Sequence, residues 1–270
     1  MRLPLSRAEA VLLSGAAVLF FAAVVGPVVN QPGEYHRFAD QRLLWQVPRA
    51  MDVLSNLAFA VVAIVGGTAL WRARAALSDM QRAMAALFFA GLLLCAAGSG
   101  WYHLAPDEVG LAVDRCAMAV AFAGLLGLAA ASRVSERAGA WLGLSVLVLG
   151  PFAASLAFAT GNVLPWAVLQ FGGMAAVAAL ALRPARAGTW PIPLAAVIAA
   201  YAIAKLFEVN DDTVFSLSGQ WVSGHTVKHV MAALAAIPVI FALGGAAESR
   251  QNAPGVTTNR RAAGRNAGPA

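Results

Sequence analysis

Residues 83–104 read AMAALFFAGLLLCAAGSGWYHL, a run that contains no Asp, Glu, Lys or Arg and ends next to a histidine. A helix needs about 20 apolar residues to cross the hydrocarbon core of a bilayer, and there its backbone hydrogen bonds must all be made internally. Residues 83–104 are long enough to cross the bilayer, and they make their backbone hydrogen bonds internally if they form one continuous helix. We therefore predict a transmembrane helix whose last turns carry Ser99 and His103.

Seven further stretches of the 270-residue chain have the same apolar character. The composition agrees, because 60% of the residues are hydrophobic and only 12% are charged, whereas soluble domains carry about 25% charged residues. The sequence predicts an all-α, polytopic transmembrane helical bundle of eight spans. The additional stretches are residues 8–29, 51–71, 110–132, 138–158, 163–182, 190–208 and 222–245.

The distribution of basic residues predicts the orientation of the bundle. Most of the 19 Lys and Arg residues lie at the N-terminus, in alternate loops and after residue 245. Short loops rich in Lys and Arg stay in the cytoplasm, so both termini are predicted to be cytoplasmic. The net charge of +6 is therefore a topology signal, and the sequence predicts no nucleic-acid partner.

A few polar residues of the predicted spans fall at one end of the bundle. Ser99 and His103 end the third span, Asp114 lies near the start of the fourth, and His225 and His229 begin the eighth. Each pair separated by four residues shares one helix face. Ionisable side chains inside a membrane are costly and usually functional, so we expect these residues to converge.

Three histidines with an open fourth position form the ligand set of a catalytic zinc. Such an ion lowers the pKa of bound water, Asp114 could act as general base, and Ser99 could donate to an oxyanion. The set predicts hydrolysis of an acyl bond at bilayer depth. Other readings stay open: iron, copper or nickel also suit imidazole, Ser99 could bond a backbone carbonyl, and Asp114 could pair with Arg115.

Other polar residues carry weaker predictions. Asp52 and Asn56, four residues apart, either orient a ligand histidine or cap their helix. Lys205 and Glu208 are spaced to form an ion pair within one helix. His36 lies in a loop and is predicted to be surface-exposed rather than a ligand.

The three-part motif resembles that of the alkaline ceramidase family, in the CREST superfamily of membrane hydrolases. The matching residues are Ser99-Gly-Trp-Tyr-His103, then Asp114 eleven residues later, then His225-Thr-Val-Lys-His229. The resemblance implies Zn²⁺ held by the three histidines, water activation by Asp114 and oxyanion stabilisation by Ser99. It also implies a membrane lipid substrate, namely ceramide or another N-acyl lipid.

The resemblance also divides the chain. It implies a seven-helix CREST-type core over residues 51–245, preceded over 1–50 by an additional, retained transmembrane helix and a non-cytoplasmic loop, and followed by a disordered cytoplasmic tail over 246–270. Residues 33–42 mix acids with bases, so calcium binding is not expected. This segment looks like that of bacterial ceramidase-like proteins, which implies a multi-pass protein of the bacterial inner membrane.

Two other classes of function remain as alternatives. A receptor or regulator of the adiponectin-receptor type, in the same superfamily, would hold a structural zinc through the same residues without turnover. A transporter would need inverted repeats or broken helices, and the sequence shows neither pattern. Product release from a panel of ceramides separates the enzyme from the receptor.

Overall fold

A computed structural model describes residues 4–187 and 189–251 of the chain. It is 76% helical, and the strands of the described residues are the two-residue pair Leu43–Leu44 and Val47–Pro48, so the all-α prediction is confirmed. The α-helices are α1 (Arg7–Val25), α2 (Ala50–Ser55), α3 (Leu57–Ala73), α4 (Asp79–Leu104), α5 (Glu108–Arg133), α6 (Glu136–Thr160), α7 (Leu164–Ala181), α8 (Leu194–Val209), α9 (Asp211–Leu217), α10 (Gly224–Leu234) and α11 (Ile237–Gln251).

Seven helical segments of the described chain are long and apolar enough to cross a membrane. Two of them are interrupted: α2 and α3 form one segment over Ala50–Ala76, and α10 and α11 form another over Gly224–Ala246. The predicted span at 190–208 becomes α8, which has 16 residues and is thus only about 24 Å long. The protein is therefore a multi-pass membrane protein, but α8 is not among the seven segments, so the predicted eighth span is not confirmed.

Although short, α8 runs from one end of the bundle to the other. Just before its first residue, the carbonyl of Ile192 accepts a 2.7 Å hydrogen bond from Arg133 at the end of α5. Near its last residue, Glu208 pairs with Lys228 of α10. Because α5 runs in the opposite direction between the same two ends, α8 lies antiparallel to it and completes the wall around the candidate site.

Glycines let α4 and α5 pack closely along their length. A side chain at Gly91 would place its Cβ 2.2 Å from the backbone nitrogen of Ala121, and one at Gly124 would lie 2.2 Å from that of Phe88. Helices in membranes associate through such small residues because backbones can then approach each other. This packing holds the end of α4 and the start of α5 at the same end of the bundle.

The additional helix α1 lies at the edge of the bundle against α7. Its Leu19 packs over Gly172, while most of its other side chains are exposed. The carboxylate of Glu9 is an exception, because it is buried and pairs with Arg137 at 2.6 Å and with the hydroxyl of Ser135 at 2.6 Å. This contact joins the start of α1 to the start of α6. The tail predicted after residue 245 lies largely outside the described residues, since α11 ends at Gln251.

Candidate metal centre

The three predicted histidines meet at one end of the bundle. The ring centroids of His103 and His225 are 4.7 Å apart, and each ring lies 4.9 Å from that of His229. One ring nitrogen from each residue lies within 4.8 Å of the others, and all three side chains are buried. The prediction that these imidazoles converge is confirmed, and the three residues are close enough to bind a metal ion.

Asp52 fixes the start of α10, the helix that carries two of these histidines. Its Oδ1 accepts hydrogen bonds of 2.6 Å from the hydroxyls of Ser223 and Thr226. Ser223 is also the N-cap of α10, accepting from the Thr226 backbone N–H at 2.8 Å. Asn56 instead donates to the Asp52 carbonyl at 2.8 Å. Asp52 therefore positions the ligand helix through its N-cap, and the amide of Asn56 braces the break between α2 and α3.

The proton positions of two histidines follow from their neighbours. The Ser55 oxygen lies 2.9 Å from the Asp52 carbonyl and 2.8 Å from Nδ1 of His229. When the single hydroxyl proton is donated to the carbonyl, the same oxygen accepts from Nδ1–H of His229. In that arrangement the proton of His229 is on Nδ1, and Nε2 keeps the lone pair that a metal ion needs. Lys228 can only donate, so its contact of 3.2 Å places a lone pair on His225 Nε2.

Several ring nitrogens of the three histidines are buried without a partner. Within the described residues, both ring nitrogens of His103 and Nε2 of His229 have no hydrogen-bond partner. A buried polar atom without a partner is destabilising by about 1–3 kcal/mol, and a metal ion removes this penalty when it takes the lone pair. Neutral imidazoles with lone pairs are the ligands that zinc prefers, so the residues present fit such an ion.

Ser99 and Asp114 lie beside the histidines and contact each other. The Ser99 side chain lies next to the Asp114 carboxylate, and both are buried. Asp114 is not paired with its neighbour Arg115, whose guanidinium instead donates to the Gln31 side chain at 2.7 Å. The interfacial ion pair weighed from the sequence is therefore absent among the described residues, and Asp114 faces the site.

An apolar cavity extends from this polar cluster between the helices. Ser99, Asp114, His229, Lys205 and Lys228 line one part of it, and the remaining wall is almost entirely aliphatic and aromatic. The apolar residues of the wall include Phe59, Phe88, Leu92, Met118, Phe122, Leu125, Val177 and Ile198. The cavity therefore offers an apolar space next to a polar end, as a lipid chain with a polar group requires.

The segment before α2 covers the histidines from outside the bundle. The buried ring of Phe38 lies edge-on to those of His103 and His225, with centroids 4.6 and 4.7 Å apart. The carboxylate of Asp211 holds this cover, accepting from the backbone N–H of Ala39 at 2.9 Å and of His225 at 2.7 Å. Arg49 adds a bond of 2.8 Å to the His103 carbonyl.

A buried ion pair stabilises the same segment. Asp40 is fully buried and accepts two bonds from the Arg42 guanidinium, at 2.8 and 2.7 Å. Burial alone would raise the pKa of Asp40, but the hydrogen bonds from Arg42 outweigh it and hold that pKa below its ordinary value of 3.8. Arg42 also donates to the Trp221 carbonyl at 3.1 Å, so the pair joins the cover to the loop before α10.

His36 stands outside the histidine cluster. Its Nδ1 is 2.9 Å from the Tyr102 hydroxyl and its Nε2 is 3.0 Å from the Glu108 carboxylate. Its side chain is partly exposed, at 27%, and it does not belong to the group of residues that could hold a metal. His36 was predicted to be surface-exposed, and its ring is only partly so because Tyr102 and Glu108 hold it.

Lys228 was not predicted as a site residue. The ion pair of Lys205 with Glu208 was predicted and is present, but Glu208 also pairs with Lys228 at 2.8 Å. The sequence did carry a signal for Lys228. It is a lysine within an otherwise apolar predicted span, between two histidines of the same helix, and such residues are usually functional.

Comparison with known proteins adds no relative: no family model, curated protein or solved structure matches the chain.

Proposed function

We propose that the protein is an intramembrane, zinc-dependent hydrolase that cleaves the amide bond of ceramide or a related N-acyl lipid. The observation that carries the proposal is the meeting of three buried imidazoles, two of them with unpartnered nitrogens, beside an apolar cavity. Of these, His229 lines the polar end of the cavity together with Ser99 and Asp114. An amide at the head of an acyl chain is a substrate that fits both parts of this arrangement.

The three histidines are proposed to bind the ion, since burial, neutral charge and free lone pairs suit zinc. Bound there, zinc would supply a Lewis acid that polarises the amide carbonyl and makes water more acidic. Ser55 is proposed to hold the proton of His229 on Nδ1, which leaves Nε2 for the ion without rearrangement.

Asp114 is proposed to act as the general base that takes a proton from the attacking water and delivers it to the leaving nitrogen. Its carboxylate lines the cavity and is oriented by Ser99. A general base must lie within hydrogen-bond reach of the proton that it removes. The cover formed by Phe38 limits access of bulk water to the histidines, which strengthens electrostatic interactions at the site.

The experiment is an assay of fatty acid release by the purified, detergent-solubilised protein from a panel of ceramides and other N-acyl lipids. Release that stops with a chelator and returns with Zn²⁺ supports the proposal. A protein that carries stoichiometric zinc but releases no fatty acid from any member of the panel would instead fit the receptor alternative. The orientation with both termini in the cytoplasm, and the inner-membrane location, belong to the same proposal and are tested by accessibility labelling of the termini in cells.

A further inference from the structure

The cavity beside the histidines contains both lysines of the chain. Lys205 on α8 and Lys228 on α10 line it, and their side chains are 21% and 17% exposed. Glu208 lies between them, with Oε2 paired to Lys205 and Oε1 paired to Lys228. Ionisable side chains at bilayer depth usually mark a ligand or ion path, and the metal-binding role of the histidines does not account for these two.

Lys228 has more donors than the protein uses. An ammonium group has three N–H donors, and among the described residues Lys228 has two acceptors, Glu208 Oε1 and His225 Nε2. A metal ion bound to Nε2 of His225 would occupy the lone pair that accepts from Lys228. One N–H of Lys228 is therefore left for a ligand in the cavity. If a metal ion takes the lone pair of His225 Nε2, two N–H groups are left.

Lys228 is also placed at the depth where an acyl group would lie. It comes three residues after His225 and one before His229, hence about 4.5 Å along the axis of α10 from the first of these histidines. The cavity wall beyond it is apolar. A lipid whose chain fills the cavity therefore brings its carbonyl end, not its middle, to the ammonium group.

The hydroxyl of Ser99 is not a free donor for the acyl oxygen of a lipid. A serine has a single O–H, and the Asp114 carboxylate next to Ser99 is an acceptor for it. An acyl oxygen in this site would have to compete with Asp114 for that proton. A lysine with a spare N–H meets the same need without disturbing the Ser99–Asp114 pair, and with a charge-assisted bond that is stronger than a neutral one.

We propose that Lys228, held in place by Glu208, contacts the substrate and donates a charge-assisted hydrogen bond to the acyl oxygen of the lipid in the cavity. The inference rests on the proposed function for the identity of that lipid. The ammonium group of Lys228 stabilises the negative charge that develops on the amide oxygen and then holds the carboxylate of the released fatty acid. Glu208 is a positioning residue, since it acts through Lys228.

The test is binding of palmitate and of hexadecanol. The two have the same chain length, but palmitate ends in a charged carboxylate and hexadecanol in a neutral hydroxyl. Each is measured by displacement of a fluorescent fatty acid from the purified protein, with and without Zn²⁺, at an alkaline pH where the acid is ionised. Hydrogen bonds to charged groups contribute enough that Lys228→Met is expected to weaken palmitate binding about 10-fold in both metal states. Hexadecanol binding should change by less than about threefold, and Lys228→Arg, which keeps the charge, should retain the preference for palmitate.

A Lys228→Met protein that binds palmitate as tightly as the wild type overturns the proposal, as does an equal loss of both ligands from a folded variant. If Lys228→Met has no cooperative melting transition, the two affinities of the metal-free wild type are compared instead. Equal affinities for palmitate and hexadecanol there would contradict a contact of Lys228 with the carboxylate. These outcomes are independent of turnover: absence of hydrolysis of every N-acyl lipid overturns the proposed function while leaving the palmitate preference intact.

Discussion

The oxygen of the Ser55 hydroxyl lies 2.8 Å from Nδ1 of His229. The same oxygen lies 2.9 Å from the Asp52 carbonyl. Donation of the hydroxyl proton to that carbonyl leaves the serine oxygen to accept from Nδ1–H, and Nε2 of the imidazole is then free. Partners of this kind orient metal ligands and raise their basicity.

Ser55→Ala is therefore expected to weaken zinc affinity by about 10-fold or more, because His229 loses the acceptor that fixes its tautomer. Competition with a chelator of known affinity measures the change. Thr68→Ala is the matched control, since the Thr68 hydroxyl in the same span bonds only a carbonyl of its own helix. Equal affinities of the Ser55→Ala variant and the control would show that the hydroxyl does not support the ligand.

Removing the ligands should remove the metal. Purified wild-type protein is expected to contain about one zinc ion per chain, and His225→Ala or His229→Ala should lower this content strongly and abolish hydrolysis, because zinc needs three of the converging nitrogens. Elemental analysis after purification in chelator-free buffer provides the measurement. Stoichiometric zinc in a variant that lacks all three histidines would refute the assignment.

Asp114→Asn should separate metal binding from chemistry. Asparagine keeps the shape of the side chain and can still accept from Ser99, but it cannot take a proton, so zinc content should persist while fatty acid release falls by about 100-fold or more. The exposed Asp212 offers the control variant Asp212→Asn, for which both quantities should stay near wild type. Unchanged turnover in Asp114→Asn would remove the general-base role.

Stability should depend on the charge of Asp40 in acid. Its pKa is lowered in the folded protein by hydrogen bonds from Arg42, against the opposing effect of burial. The pair therefore contributes its full stability above the ordinary carboxylate pKa and loses it as the pH falls through the lowered folded value. Thermal unfolding of wild type and Asp40→Asn across the acid range should show a difference that is largest near neutrality and shrinks in acid. A difference independent of pH would contradict this linkage.

Close packing of α4 on α5 should make Gly91 intolerant of a side chain. The Cβ of Gly91→Ala would lie 2.2 Å from backbone nitrogen of Ala121, and overpacking of this kind is destabilising by about 1–3 kcal/mol. Because these helices place His103 and Asp114, zinc affinity should fall as well. Gly67→Ala, at a glycine with open space around its Cβ, is the control, and its melting temperature should not fall.

The spans and the shared faces of the motif residues could be predicted from the sequence because they depend on local rules. A run such as residues 83–104 can satisfy its backbone in lipid only as a helix. Likewise, residues four apart, such as His225 and His229, lie on one helix face whatever surrounds them. The length of α8 was less well predicted, since its start depends on Pro191 and Pro193 and on a bond from Arg133 to Ile192.

Tertiary structure alone decided what completes the site. That His103 meets the other two histidines depends on the start of α2, where Arg49 donates to the His103 carbonyl and Asp52 accepts from the first turn of α10. The cover by Phe38 belongs to a segment without a periodic pattern, and it is held by Asp211 from a distant part of the chain. Lys228 joined the site only when α8 brought Glu208 against it. Such contacts are made between residues far apart in sequence, and no local spacing encodes them.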